Sequence, residues 1–275
     1  MTMTGHDDVL QVQLSHWRSR LVRYSVNVYL VRGVLVDTGF PATRGRLARL
    51  LDELRPTAVV VTHHHEDHAG NAALVARRGL PVAIAADTLA LLRAGERGVG
   101  LYRRFVWSTM PPLADAITPL PDDALATLGL ALLHTPGHSS DHRVVWDADR
   151  ATLFGGDLFL GVRVKVARPN EDPRAHARSL RLAAALQPRR LFDGHRGLVP
   201  DPVRALLAKA DWLDETIGRI DALASQGWSV RAIRREVLGA EAPVALASFG
   251  DLSKANFVRA VLDGGTGDAR PRTRG

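Results

Sequence analysis

Apolar and polar positions divide the chain into a mixed first part and a purely helical second part. Residues 25–31 (Ser-Val-Asn-Val-Tyr-Leu-Val) and 33–36 (Gly-Val-Leu-Val) are β-rich runs separated by a turn at Arg32-Gly33, and Asp37-Thr38-Gly39 closes the second. Leu47, Leu50, Leu51 and Leu54 recur at helical spacing, which predicts a helix over 43–54. The β-branched run 57–62 predicts a buried strand, and a helix follows over 70–78, stopped by Gly79. Short strands are predicted over 82–85, 131–134, 144–146, 152–154 and 190–192, with a helix over 174–186. From Pro202 onward, Leu206, Ala210, Leu213, Ile217, Ile220 and Ala224 form one apolar stripe that Gly227 ends. Two shorter helices follow, near 230–238 and 252–262. Strands mixed with helices, then helices alone, predict an α/β (α+β) core over 1–200 and a helical C-terminal appendage over 201–265.

One stretch differs from the rest. Residues 87–113 carry glycines at 95, 98 and 100, followed closely by Tyr102, Phe105, Trp107 and Met110. Such aromatics are core by default, but a Gly-punctuated insertion also suits a lid facing a substrate, and Tyr102, Phe105 and Trp107 are taken as its substrate-binding candidates.

Composition narrows the classes. The 275 residues are 46% hydrophobic and 24% charged, which suits a globular domain able to bury a sizeable core. Cysteine is absent, which excludes disulfides, thiolate metal sites and a cysteine nucleophile. No apolar run approaches the ~20 residues that span a bilayer, and the N-terminus lacks the order of a signal peptide, so a cytoplasmic enzyme is expected. The net charge of +7 raises a nucleic-acid reading, but residues 201–275 hold eleven basic against ten acidic side chains. The only concentrated basic piece is the Arg270, Arg272, Arg274 tail, and 266–275 reads as disordered. A small-molecule substrate is therefore expected, with a homodimer as an open option for the C-terminal helices.

The informative segment is Thr62-His63-His64-His65-Glu66-Asp67-His68-Ala69-Gly70, which holds four of eleven histidines. In an extended loop, residues i and i+2 point the same way, so His63 and His65 can grip one metal while His64 points away. Asp67 and His68 fall where the loop turns into a helix and can aim at a second metal. A solvated loop would stop there. Instead, further polar residues follow later strands: His138 in Thr135-Pro136-Gly137-His138, Asp157 in Gly155-Gly156-Asp157, and His195 in Asp193-Gly194-His195. Ligands at several strand ends are what a metal centre on one rim of a sheet requires. Oxygen and imidazole donors without thiolate suit zinc, manganese or iron. His64 and Glu66 read as solvated or structural, His134 as a hydrogen-bonded core histidine, and His142 as a further substrate-binding candidate lining the site.

These motifs, with Val36-Asp37-Thr38-Gly39, resemble those of the metallo-β-lactamase superfamily over about residues 20–200. The resemblance implies a four-layer αββα sandwich. It also implies that His63, His65 and His138 bind one metal, that Asp67, His68 and His195 bind a second, and that Asp157 bridges the two. Asp37 would orient a ligand imidazole, and Asp67 would pass a proton. The cofactors implied are two divalent ions, zinc foremost, with manganese or iron as alternatives. The implied reaction is hydrolysis of an ester, thioester, lactone or amide by a metal-bridging hydroxide. An aspartate at 157 favours the branch containing hydroxyacylglutathione hydrolase and lactonases, and His65 argues against flavodiiron oxidoreductases, which carry Glu there. A mononuclear-iron persulfide dioxygenase and a metal-dependent ribonuclease are the alternatives.

Overall fold

Strand alternation decides the layering. The computed structural model describes residues 1–95, 100–111, 113, 117, 125–164 and 166–264. Six strands form one sheet in sequence order: β1 (Thr2–His6), β2 (Val9–Leu14), β3 (Val26–Val31), β4 (Val34–Val36), β5 (Ala58–Val60) and β6 (Val82–Ala83). The second sheet holds β7 (Leu130–His134), β8 (Arg143–Asp147), β9 (Thr152–Phe154), β10 (Arg190–Asp193) and β11 (Gly197–Val199), again in sequence order. Because successive side chains leave a strand on opposite faces, Tyr29, Val31, Val34, Val36 and Val60 meet Val145, Phe154 and Phe192 in a core between the sheets.

The alternate residues face outward and are buried too. Val26, Val28, Leu35 and Val59 pack with Leu47 and Leu50 of α2 (Arg44–Leu54). Val144, Leu153 and Leu191 pack with Leu180 of α7 (Pro173–Ala185) and Leu206 and Leu213 of α8 (Pro202–Ser225). Strands covered on both faces read as continuous apolar runs, as Val59-Val60-Val61 does. The result is helices, sheet, sheet, helices. Each fully buried Leu or Val contributes ~1.5–3 kcal/mol, so the layers hold by accumulation.

The stripe on α8 lies in the same apolar cluster as α7 and the second sheet's outer face, together with Ile233 of α9 (Val230–Leu238) and Phe257 of α11 (Lys254–Leu262). The helices after Pro202 thus share a core with the sandwich.

Several details differ from the sequence pattern. A hairpin, β1–β2, turns at Asp7-Asp8, with Asp7 at φ 52°, and a short helix α1 (Trp17–Leu21) follows it. The helix predicted over 70–78 begins earlier, as a turn α3 (Glu66–Ala69) that carries Asp67 and His68, before α4 (Ala72–Arg77). The insertion contains two helices, α5 (Ala86–Ala94) and α6 (Leu101–Trp107), and a short α10 (Pro243–Ala247) precedes α11. Gly98 and the tail 266–275 lie outside the described residues. No helix among the described residues is long and apolar enough to cross a membrane.

Candidate metal centre

β4 and β5 are parallel, and so are β9 and β10, while β7 and β9 both run antiparallel to β8. The C-terminal ends of β4, β5, β7, β9 and β10 deliver Asp37, the 62–68 segment, His138, Asp157 and His195 to one rim. Two hydrogen bonds lock the sheets together beside it: Asn27 N–H to Gly194 O at 2.7 Å and Tyr29 Oη–H to Asp193 O at 2.5 Å. Glycines allow the closest approaches. A Cβ on Gly137, which has φ 136°, would fall 2.3 Å from the His176 backbone, and one on Gly194 would fall 2.8 Å from His68 Cε1.

Two groups of ligand atoms converge there, His63, His65, His138 and Asp157 in one and Asp67, His68, Asp157 and His195 in the other. In the first, His65 Nδ1 lies 2.9 Å from His63 Nε2 and 3.0 Å from His138 Nε2, which is 3.1 Å from Asp157 Oδ2. In the second, Asp157 Oδ1 lies 3.1 Å from His68 Nε2 and 3.2 Å from His195 Nε2, and Asp67 Oδ2 lies 3.3 Å from His195 Nε2. Asp157 therefore turns one oxygen to each group.

The other edges of two of these rings are held by the chain. His68 Nδ1–H donates to Asp37 Oδ2 at 2.7 Å, and His195 Nδ1–H donates to Ser25 O at 2.8 Å, which turns both Nε2 atoms toward the cluster. Asp37 also accepts from Thr62 N–H at 2.9 Å and from Thr62 Oγ1 at 3.0 Å. Asp193 shapes the last loop by accepting from the N–H groups of His195, Arg196 and Leu160.

Burial drives His63 and His65 well below the usual imidazole range, so both are neutral, the form that binds metal. His68 and His195 go the other way: burial would lower them, but Asp157 and other nearby carboxylates push them well up. Burial opposes ionisation of Asp157 and Asp67, yet the surrounding histidines hold both below the ordinary carboxylate range. A buried set of three aspartates thus calls for positive charge. His68 Nε2, His65 Nε2, Asp67 Oδ1 and Asp157 Oδ1 are buried without a hydrogen-bond partner. Ligand atoms bound ~2.0–2.1 Å from a tetrahedral ion stand roughly 3.3 Å apart, close to the separations above. The residues fit divalent metal.

The family model described as metallo-beta-lactamase superfamily matches residues 21–209. The chain belongs to that superfamily. Its relatives include the "Beta-lactamase-like protein 2 homolog" of Drosophila melanogaster, 27% identical over 203 residues, covering 67% of this chain and 63% of the fly protein. The chain thus spans about three fifths of the length of the curated relatives it matches, 63% and 62% for the first two. Among solved structures, the metallo-beta-lactamase family protein TTHA1429 from Thermus thermophilus aligns with a TM-score of 0.63 at 22% identity, over 94% of this chain and 93% of that one. TTHA1623, crystallised in a di-iron-bound form, aligns at 30% identity with a TM-score of 0.55, over 70% of this chain and 96% of that one.

Around this candidate centre, the remaining predicted residues spread out. His142 lies behind the cluster, fully buried, and burial takes its pKa to about 3, so its Nε2 accepts the Asp157 N–H at 3.1 Å. His64 is engaged rather than solvated, its Nδ1 2.8 Å from Asp141 Oδ1. Glu66 is structural, buried with its Oε1 2.6 Å from Arg103 Nη2 of α6. His134 is not in the core: it is exposed, with Nε2–H donating to Ser140 O at 2.8 Å, because it is the last residue of β7, the edge strand of the second sheet.

The three aromatics of the insertion part company. Trp107 is buried, and its ring lies 5.3 Å from that of Tyr24, whose hydroxyl donates to Asp67 Oδ2. Phe105 is 47% exposed and stacks edge-on against Trp17. Tyr102 packs half-buried on the first sheet's outer core. Neither Tyr102 nor Phe105 has a hydrogen bond or ring contact to the ligand set among the described residues.

Tyr24 was invisible in the sequence, since a lone tyrosine before a strand carries no pattern. Burial holds its hydroxyl well above the ordinary phenol range, so it remains a donor to Asp67. This arrangement separates two variants. Trp107→Ala should cost ~3–5 kcal/mol of stability, the usual loss for a large buried ring. Phe105→Ala should stay within ~0.5 kcal/mol on its exposed face. Urea unfolding of both proteins, with metal content measured in parallel, checks this, and equal losses would contradict the assignment.

Proposed function

We propose that the chain is a metal-dependent hydrolase that holds two divalent ions, zinc foremost, and cleaves an ester, thioester, lactone or amide of a small molecule. The observation that carries this reading is Asp157, whose two oxygens reach His138 at 3.1 Å on one side and His68 and His195 at 3.1 and 3.2 Å on the other. His63, His65 and His138 would hold the first ion, and Asp67, His68 and His195 the second, with Asp157 shared. When bound, such a pair supplies an acidified water and a Lewis acid for the substrate carbonyl.

The chain's own groups do the rest. Asp37 and Ser25 O fix the tautomers of His68 and His195. Tyr24 steadies one oxygen of Asp67, and the other oxygen stands free to accept a hydrogen bond and pass a proton on. His195, with 17% of its side chain exposed, is the most open of the seven and marks the side from which substrate would arrive.

The test is metal analysis of protein purified without chelator, together with turnover of nitrophenyl esters, thioesters and lactones before and after chelation. Close to two equivalents and chelator-sensitive hydrolysis are expected. One equivalent of iron with oxygen uptake on a persulfide would replace this reading with a dioxygenase, and cleavage of an oligoribonucleotide in place of the esters would replace it with a nuclease.

A further inference from the structure

Beside His138 the chain leaves a cavity of about 180 Å³, far above the roughly 15 Å³ that admits one water. Leu160, Val164 and Val166 supply an apolar wall, and Arg163 stands exposed at the rim. His176 offers no open donor, since its Nε2–H is given to Leu158 O at 2.7 Å and burial keeps the ring neutral.

Lys209 reaches this cavity from α8 and is only 2% exposed. Two of its ammonium protons go to Leu158 O at 3.1 Å and Phe159 O at 2.5 Å. The third has no acceptor, and no carboxylate forms an ion pair with it, among the described residues. Glu171, the one acid among the described residues of the wall, makes no ion pair with Lys209: its Oε1 accepts the Arg168 N–H at 2.9 Å and stands 4.0 Å from His138 Nδ1. Burying an ammonium without a paired anion is unfavourable, and burial brings Lys209 down to about 8. Packing does not call for it, because Leu206 and Leu213 on the same helix seal the core with aliphatic side chains.

We propose that this cavity is the acyl subsite of the hydrolase, and that Lys209, with Arg163 at the rim, selects substrates whose short acyl chain ends in a carboxylate. The proposal rests on the hydrolase reading above. A substrate carboxylate would take the third Lys209 proton as a charge-assisted hydrogen bond, its methylenes would lie along Leu160, Val164 and Val166, and the scissile carbonyl would stay on the metal side of His138. The modest volume favours a short chain.

The experiment compares 4-nitrophenyl hemisuccinate with 4-nitrophenyl butyrate, its neutral counterpart of similar length, on metal-loaded protein. Succinate binding is measured separately by calorimetry. The wild type should prefer the hemisuccinate at least tenfold in kcat/KM. Arg163→Glu, a change at an exposed position, should lower that preference about threefold, chiefly through KM, and Lys209→Met should abolish it. If Lys209→Met fails to fold, Arg163→Glu and succinate binding still decide. Equal use of both esters, with succinate unbound, overturns the subsite and leaves the hydrolase standing. Succinate bound and weakened by Arg163→Glu, with neither ester cleaved, keeps the subsite and counts against the ester hydrolase.

Discussion

An Asp157→Ala protein should leave purification with about one metal equivalent instead of two, and its turnover should fall by ~10³-fold or more. The carboxylate is 4% exposed and each oxygen serves a different group of ligands. Without it, two cations would face each other across a few ångströms with only Asp67 to offset their repulsion. The ion at Asp67, His68 and His195 should be lost first, because His63, His65 and His138 form a seat of three neutral imidazoles for the other. Elemental analysis beside steady-state kinetics checks this. Retention of two metals at near-normal turnover would remove Asp157 from the centre.

The second large effect is expected at Asp37, which touches no ligand atom facing the cluster. Its carboxylate accepts from Thr62 N–H, Thr62 Oγ1 and His68 Nδ1, all buried. Asp37→Ala would strand the Thr62 amide and the His68 proton at once, and would place alanine at φ 65°. The combined loss should be ~3–5 kcal/mol in chelated protein. The His68 ring would also lose its fixed tautomer, so metal affinity should weaken by ~10–100-fold. Asp37→Asn keeps the shape and tolerates the left-handed backbone, so it should recover part of both. Urea unfolding without metal and competition titration with a chelator read the two effects separately. A variant that loses stability while binding metal as tightly as the wild type would reduce Asp37 to a packing residue.

The candidate ligand set was legible because each member sits in a short polar interruption directly after an apolar strand, as in Leu153-Phe154-Gly155-Gly156-Asp157. The central strands were legible for the same reason, their apolar runs being continuous. β1 was not, because Thr2–His6 is an edge strand whose polar, exposed residues leave no apolar trace. β11 is only three residues long and held by pairing with β10. The insertion was read through its glycines, whereas helical phase would have sorted it: Arg103, Val106 and Trp107 are the buried positions of α6, and Phe105 falls on the other face. Tyr24, Glu171 and Lys209 could not have been found, since each acquires its place only when distant segments meet.

The ligands also divide between the sheets. His63, His65, Asp67 and His68 follow β5 of the first sheet, whereas His138, Asp157 and His195 follow strands of the second, and each group of four needs both. A bound ion is therefore a removable cross-link between two halves of the molecule that are remote in sequence. It can form only once the sheets have docked, late along any folding route, so it cannot hasten their meeting. What it does is hold them together afterwards. Metal occupancy should act as a latch on the rate of unfolding, and the lifetime of the native state would then follow the supply of the ion.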